Sequence, residues 1–343
     1  MIKTTLKNCS EYIKTQHMRR YFVNRDSWMV DECNLPRLSK QEIEDANKMW
    51  PFCKVNERDL IWLRMYKKEY GFDPSFVTDY QLLLIFRKTN PYKQVVSLEH
   101  KAMFDIYYPE IPTPHNYIKV INGTCWYEGE VCSWDTALSQ LSKTSVENVV
   151  VKPTTDTGCG KGVQITKVES LNGEVLGNNF VIQELLKQHS DIARFNPTSI
   201  NSCRVTSIFL EGVFSFSCTF KTGKQGSRID NWNSSYFVGV NSDGTLHDYG
   251  FDSKLNPFKQ TDTGIVFGGN TLPKYDVMIE RISFWHQHYF PQVGIIGWDV
   301  FIDDNEQIKV IEVNLSSPGI VGEQFCSGAF FGKRRDAILK LFQ

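Results

Sequence analysis

The sequence predicts an α+β fold, and three observations carry the prediction. Helix caps and a 3.6-residue apolar period run through roughly the first hundred positions. Short runs rich in Val, Ile, Phe and Thr, separated by Gly, Asn and Asp, take over after Asn148. The 343 residues contain no fixed-period repeat or low-complexity tract, and 41% of them are hydrophobic and 13% aromatic, enough to bury a sizeable core.

The elements follow in order. "SKQEIEDANKMW" opens with a capping box, Ser39 with Glu42, in which the hydroxyl takes one orphan N–H of the first helical turn and the carboxylate reaches back to another. "ERDLIWLRMYKKEYG" sets Leu60, Leu63 and Tyr66 on one helical face and stops at Gly71. "TDYQLLLIFRKTNP" reads as a helix ending before Pro91, and Val95 to Asp105 as another. "YPEIPTPHNYI", with Pro109, Pro112 and Pro114, is an extended connection. After Asn148 come "NVVVKP", "VQITKV", "NFVIQELL", "CRVTSIFLEGVFSFSCTFK", "SYFVGVNSDGTLHDYGF", "GIIGWDVFID" and "QIKVIEVNL", punctuated as antiparallel hairpins require, and "DAILKLFQ" closes the chain as a helix.

Composition excludes several functions. With 38 basic and 39 acidic residues the formal charge is -1, so no global field favours nucleic acid or an anionic membrane, and any anion must be held locally. The nine cysteines form no CxxC pair and lie mostly in apolar stretches, as reduced core residues do. "MIKTTLKNCSEYIK" has charges where a signal peptide needs apolar residues, and "LLLIF" is too short to span a bilayer. A cytosolic protein without membrane insertion is expected.

"VVVKPTTDTGCGKGVQI", from Val149 to Ile165, is strand, glycine loop, strand. A Walker A loop and a dinucleotide fingerprint both need a helix after the glycines, and Lys161 is followed by Gly162 where Walker A requires Ser or Thr. What remains is a hairpin laid over phosphates, approached by the backbone N–H groups of Gly158, Gly160 and Gly162, or a plain glycine-rich turn. The lysine of a protein kinase lies on the strand after such a hairpin, whereas Lys152 precedes this one, and no HRD or DFG signature is present.

"IIGWDVFIDDNEQIKVIEVN" reads as a hairpin turning at Asp304 and Asn305, residues that tolerate positive φ. A tight turn pairing Asp303 with Glu306 sets Asp299 opposite Val310, with Glu312 one diagonal step beyond and Asn314 two residues on. Period-two alternation puts Asp299, Glu312 and Asn314 on one face, with Ile308 and Val310 preceding Glu312 on that same face. Diagonal neighbours lie about 7–8 Å apart, a gap that two carboxylates and one cation fill. Three oxygen donors suit Mg²⁺ and exclude soft metals; the bland reading is an exposed polar face of an edge hairpin.

Lys-Pro before a glycine loop, then "QELL", then Asp followed by Glu-x-Asn near the C-terminus resemble the ATP-grasp superfamily. "QHSDIARFNPTSINSCRVTSI", "FKTGKQGSRIDN" and "GWDV…IEVN" narrow the resemblance to its sugar-transfer-associated branch, encoded with bacterial surface-polysaccharide genes, over roughly Val95 to Gly322. The resemblance implies two α+β lobes whose antiparallel sheets clasp ATP, at 95–184 and 185–343, after a mainly helical region 1–94. It implies that Lys101 and Lys152 reach the nucleotide phosphates beneath the loop of Gly158, Gly160 and Gly162. Gln183, Glu184, Leu185 and Leu186 would form the adenine hinge. Arg204 and Lys221 would neutralise the γ-phosphate, and Asp299, Glu312 and Asn314 would hold Mg²⁺. Lys221 departs from the Arg expected there, replacing a bidentate fork by a point charge. Lys161 is either a phosphate ligand or a solvated loop residue.

Other candidates have two readings each. Cys159 is a loop filler or a nucleophile, and His189 touches substrate or is structural. Asn201 orients substrate or bonds its own turn. Asp230 and Asn231, before Trp232, line an acceptor pocket or make an ordinary turn. His286 and His288, two apart, point different ways on a helix and read as surface or packing residues. By the resemblance, a carboxylate is phosphorylated by ATP and an amine attacks the acyl phosphate, the partners being a small-molecule or glycan acid and an amine. The alternatives are an ATP-dependent kinase of a sugar or alcohol and a nucleotide-binding module without turnover.

Overall fold

A computed structural model describes residues 2–154, 162–173, 177–227, 232–316 and 318–343. They divide into a helical unit of Met1–Pro91, Leu210–Val213 and Gly319–Gln343, and a sheet unit of Tyr92–Phe209 and Phe214–Pro318. The class is α+β, helices first, as the sequence predicts. No helix among the described residues is long and apolar enough to cross a membrane.

In the helical unit the main helices span Ile2–Asp26, Lys40–Met49, Ile61–Tyr70 and Asp79–Thr89. The capping box forms: Glu42 N–H donates to Ser39 Oγ (3.2 Å) and Ser39 N–H to Glu42 Oε2 (2.7 Å). Ile61–Tyr70 ends at Gly71, whose φ of 87° a side chain would strain. Tyr66 is fully buried, stacks on Phe76 at 4.1 Å between ring centroids, and donates to Val321 O at 2.9 Å. Gln324, 0% exposed, donates to Val77 O and accepts from Val77 N, so a side-chain amide stands in for a strand partner.

The sheet unit holds two antiparallel sheets. The first contains β1 (Asn116–Ile121), β2 (Thr124–Tyr127), β3 (Glu130–Cys132), β4 (Asn148–Pro153), β5 (Gln164–Lys167) and β6 (Phe180–Glu184), in the order β3-β2-β1-β6-β4-β5. The second contains β7 (Ser202–Leu210), β8 (Val213–Gly223), β9 (Ser235–Val240), β10 (Leu246–Phe251), β11 (Pro257–Phe258), β12 (Ile295–Ile302) and β13 (Ile308–Asn314), in the order β11-β10-β9-β8-β7-β12-β13. The strands begin well before Asn148. β1 and β2 turn through Asn122 and Gly123, both at positive φ, the commonest two-residue hairpin signal.

Each sheet has one apolar face. Ile118, Val149, Val151 and Ile182 of the first pack with Ala137 and Leu141 of the helix Trp134–Leu141. Cys203, Val205, Cys218, Phe220, Ile296, Trp298 and Val300 of the second pack with Met278, Ile282 and Trp285 of the helix Tyr275–Tyr289. Strand alternation therefore turns Lys152, Val181 and Gln183 to the opposite face of the first sheet, and Arg204, Lys221 and Asp299 to that of the second. His286 is buried in the second core. Its Nε2 donates to Val293 O (2.8 Å), and its Nδ1 meets Ser207 Oγ (2.7 Å), which also accepts from Trp298 Nε1 (2.8 Å). Burial pushes its pKa down to about 4, outweighing the Val293 bond, so it packs as a neutral ring. His288 is exposed and stacks on Phe284.

The single helix expected from Val95 to Asp105 does not form. Helical turns at Tyr92–Val95, Val96–Glu99 and Phe104–Tyr107 are separated at His100, whose ψ of 111° is extended. The break frees the Lys101 N–H to donate to Thr154 O, at the end of β4.

In the helical unit Arg25 donates to both oxygens of Asp26 (2.7 Å each) and to Asp79 Oδ2 (2.5 Å), so one cation serves two carboxylates. Burial raises the Asp79 pKa to about 7, Arg25 opposing and Asp26 reinforcing the rise. A carboxyl whose folded pKa lies above its unfolded value destabilises the fold when ionised, and that cost is relieved as pH falls through about 7. Asp79→Asn should therefore melt higher than wild type at pH about 8, with the difference shrinking toward pH about 5. Melting curves of both proteins across that range check this.

Candidate active site

The β12–β13 hairpin is built by two local devices. Its tip is a three-residue loop rather than the two-residue turn expected from the sequence. Asp303 N–H donates to Gln307 O (3.0 Å), and the Asp303 carboxylate accepts from Asn305 N (3.0 Å) and Gln307 N (2.8 Å). The positive φ falls on Glu306 (61°) instead of Asp304 or Asn305. The second device is a β-bulge: Val300 pairs with Val310 and Asp299 with Glu312, which leaves Ile311 as the extra residue.

These devices correct the expected register. Asp299 lies directly opposite Glu312 instead of Val310, and Gly297 opposite Asn314. The bulge also reverses the alternation, so Ile308, Val310 and Val313 enter the core while Lys309, Glu312 and Asn314 share the other face. Ile308 and Val310 are thus not on the face of Glu312. Its side chain ends no apolar row and is 30% exposed.

Asp299 is the buried member, 5% exposed. Arg204, its neighbour across β7–β12, donates Nε to Oδ1 (2.9 Å) and Nη2 to Oδ2 (2.8 Å), a bidentate fork. Lys221 on β8 donates to Oδ1 (2.8 Å), and Asn314 Nδ2 to Oδ2 (3.2 Å) and to Gly297 O (3.3 Å). Burial alone would push the Asp299 carboxyl up, but Arg204 and Lys221 together hold it far below the usual carboxylate range.

Glu312 faces Lys101 at 3.3 Å. The segment carrying Lys101 is pinned on both sides. Lys101 N–H bonds to Thr154 O, and Glu99 Oε1 accepts from the N–H groups of Leu315 and Ser316, just past β13. Glu99 was not singled out from the sequence, where a lone Glu ending a short helical run carries no signal.

On the first sheet Gln183 is 5% exposed and donates to Asn116 Oδ1 (2.8 Å), while Asn116 donates to Asp105 Oδ2 (2.8 Å) and Lys119 pairs with Asp105 (2.6 Å). Gln183 Oε1 is buried without a partner. A buried acceptor left unpaired costs about 1–3 kcal/mol, which a ligand donor recovers. Glu184 accepts from His115 N (3.0 Å) and from Lys309, which also lies 3.7 Å from Asp303. Lys309, a basic residue in an otherwise apolar run, was the overlooked signal. Glu99, Lys101, Phe104, Asp105, Asn116, Gln183, Ile311 and Glu312 line a cleft of about 390 Å³ counted to its open mouth. Lys152 stands on β4 opposite Val181, on the face of Gln183.

Of the glycine loop, Gly158, Cys159, Gly160 and Lys161 lie outside the described residues, as do Asp230 and Asn231. Gly162 is described: φ is 79°, and a Cβ there would meet Pro153 Cγ at 2.9 Å, so only glycine lets the chain pass this close to Lys152-Pro153. Leu185 and Leu186 connect β6 to Gln188. His189 caps the helical turn Ser190–Ala193, its Nδ1 accepting from Asp191 N (3.2 Å) and its Nε2 lying 4.0 Å from Glu306. Asn201, 1% exposed, donates Nδ2 to Gln188 Oε1, Ile192 O and Asn196 O and accepts from Thr222 Oγ1. Both ends of its amide are committed, the Nδ2 to its own loop and the Oδ1 to Thr222 of β8, in line with the turn-bonding reading.

Asp299, Glu312 and Asn314 thus converge, and two carboxylates with an amide oxygen fit a hard cation such as Mg²⁺. Among the described residues no group of three or more His, Cys, Asp or Glu is set for a metal, and Asn314 turns its Nδ2 toward Asp299 Oδ2. Both Asp299 oxygens accept from Arg204, Lys221 and Asn314 here, so an incoming cation requires those donors to turn away.

Asp299→Asn should destabilise the protein by about 3 kcal/mol, because it strands two partly buried cations. Glu312→Gln, which breaks one half-exposed pair, should cost under about 1 kcal/mol. Gly162→Ala should cost about 1 kcal/mol or more through the positive φ and the Pro153 contact. Urea unfolding of the three variants checks this ordering.

Residues 169–339 match the family described as sugar-transfer associated ATP-grasp. No curated protein sequence matches the chain. Among solved structures, the D-cycloserine synthetase DcsG is 13% identical with a TM-score of 0.46, over 88% of this chain and 94% of that one. The ATP-grasp ligase PsnB complexed with minimal precursor is 11% identical with a TM-score of 0.41, over 73% of this chain and 62% of that one. D-alanyl-alanine synthetase A from Vibrio cholerae O1 biovar eltor str. N16961 is 10% identical with a TM-score of 0.41, over 71% of this chain and 65% of that one. The chain therefore spans less than two thirds of the length of the latter two. It carries a sugar-transfer associated ATP-grasp domain.

Proposed function

We propose that the chain is a Mg²⁺- and ATP-dependent carboxylate–amine ligase that works through an acyl phosphate on a surface-glycan or nucleotide-sugar acid. The observation that carries this reading is the directly opposed Asp299–Glu312 pair with Asn314 beside it, on the same face as Arg204 and Lys221. A divalent cation held there by Asp299, Glu312 and Asn314 supplies charge neutralisation on the nucleotide phosphates.

The remaining chemistry belongs to the side chains. Lys101 and Lys152 hold the phosphates from the first sheet and its flanking segment, fixing the donor for in-line transfer. Arg204 and Lys221 exchange the Asp299 oxygens for the oxygens of the transferring phosphoryl group, where negative charge is spread in the transition state. The acceptor carboxylate attacks the γ-phosphorus, ADP leaves, and the amine then displaces phosphate from the acyl carbon. Gln183 Oε1, buried and unpaired, is an acceptor for a ligand N–H in the cleft beside Lys101. The family description, which associates the domain with sugar transfer, supports a glycan setting for the acid.

ADP release measured across a matrix of uronic acids and amines tests the reading. Turnover is expected only when an acid and an amine are both present, with free phosphate as co-product; phosphate retained on an alcohol product would instead mark a kinase. Glu312→Gln should lower turnover about 100-fold or more while leaving the melting curve near that of wild type. Lys221→Arg should retain most activity and Lys221→Met lose about 100-fold, because the charge on the phosphoryl group matters more than the fork.

A further inference from the structure

Cys125 and Cys132 face each other across the β2–β3 hairpin, a pair that the spacing of the cysteines does not announce. The turn between them, Glu128-Gly129, has positive φ at both residues (48° and 87°), which fixes a two-residue loop and a strict register. Tyr127 then pairs with Glu130, Trp126 with Val131, and Cys125 with Cys132. Directly opposed residues of antiparallel strands point to the same face with Cα atoms about 4.5–5.5 Å apart, inside the range of about 4.4–6.8 Å that a disulfide spans. Cys125 is buried in the core of the first sheet, while Cys132, half-buried on the edge strand, packs against that core.

We propose that Cys125 and Cys132 form a reversible dithiol–disulfide site at the edge of the first sheet, closed by a hydroperoxide. Cys132, the less buried member, attacks the peroxide through its sulfur. The O–O bond breaks, water leaves with the thiol proton, and a sulfenic acid remains on Cys132. The Cys125 sulfur then attacks the Cys132 sulfur. The S–O bond breaks, hydroxide departs and takes the Cys125 proton, so two thiols and one hydrogen peroxide give one disulfide and two waters. Burial, reinforced by Cys132, raises the Cys125 thiol to about 11. The new bond ties β3 to β2 immediately before Ser133, whose side chain caps the helix Trp134–Leu141.

The test is native oxidation of the full chain with hydrogen peroxide, then alkylation, proteolysis and peptide mapping. The expected result is a Cys125–Cys132 cross-linked peptide, loss of two alkylatable thiols at those positions, reversal by dithiothreitol, and no such peptide from Cys132→Ser. Full alkylation of both cysteines after other thiols have been consumed, or Cys125 joined to a different cysteine, overturns the proposal. The wild-type map is decisive by itself, so a poorly folded variant leaves the conclusion intact.

Discussion

An ionised carboxylate removed from water must be met by positive charge, and the arrangement of the sheet unit follows from that requirement at Asp299. Its burial would neutralise it, yet a bidentate arginine and a lysine keep it charged. Those cations come from adjacent strands, so β7, β8 and β12 must keep their order and register for the charge to survive. The result is a dense patch of both signs around one buried carboxylate.

Polar contacts also tie β13 to the first sheet and to the segment that flanks it. Lys309 reaches from β13 to Glu184 at the end of β6, Lys101 reaches Glu312, and Glu99 accepts from the backbone beyond β13. Such half-exposed pairs contribute little stability each, because water competes for them. They define positions more than they add stability.

Much of this was legible in the sequence where a local rule decides the outcome. The Ser39–Glu42 box, the stop at Gly71, the antiparallel strands after Asn148 and the convergence of Asp299, Glu312 and Asn314 all rest on caps, φ requirements and alternation. The misses occur where a distant partner overrides the local pattern. The run from Val95 to Asp105 has helical composition, but Lys101 bonds to Thr154 and Glu99 to Leu315 and Ser316, and the helix breaks between them. The strands from Asn116 to Cys132 are a local exception: they follow three prolines that mark an extended connection, although Asn122-Gly123 carries the hairpin signal. The helical unit also includes Gly319–Gln343, which the sequence had grouped with the C-terminal lobe, because the contacts of Tyr66 with Val321 and of Val77 with Gln324 span most of the chain.

The bulge at Ile311 divides β13 into two segments with independent phase. The tip-side residues Ile308 to Val310 follow the hairpin loop, while Glu312 to Asn314 follow β12 at Asp299. A one-residue insertion or deletion in the exposed loop would ordinarily invert every side chain downstream. Here the surplus residue is already a slack joint, so a slip at the tip can be absorbed before it reaches the acids. A change in the length of the loop thereby leaves the placement of Glu312 and Asn314 opposite Asp299 and Gly297 intact.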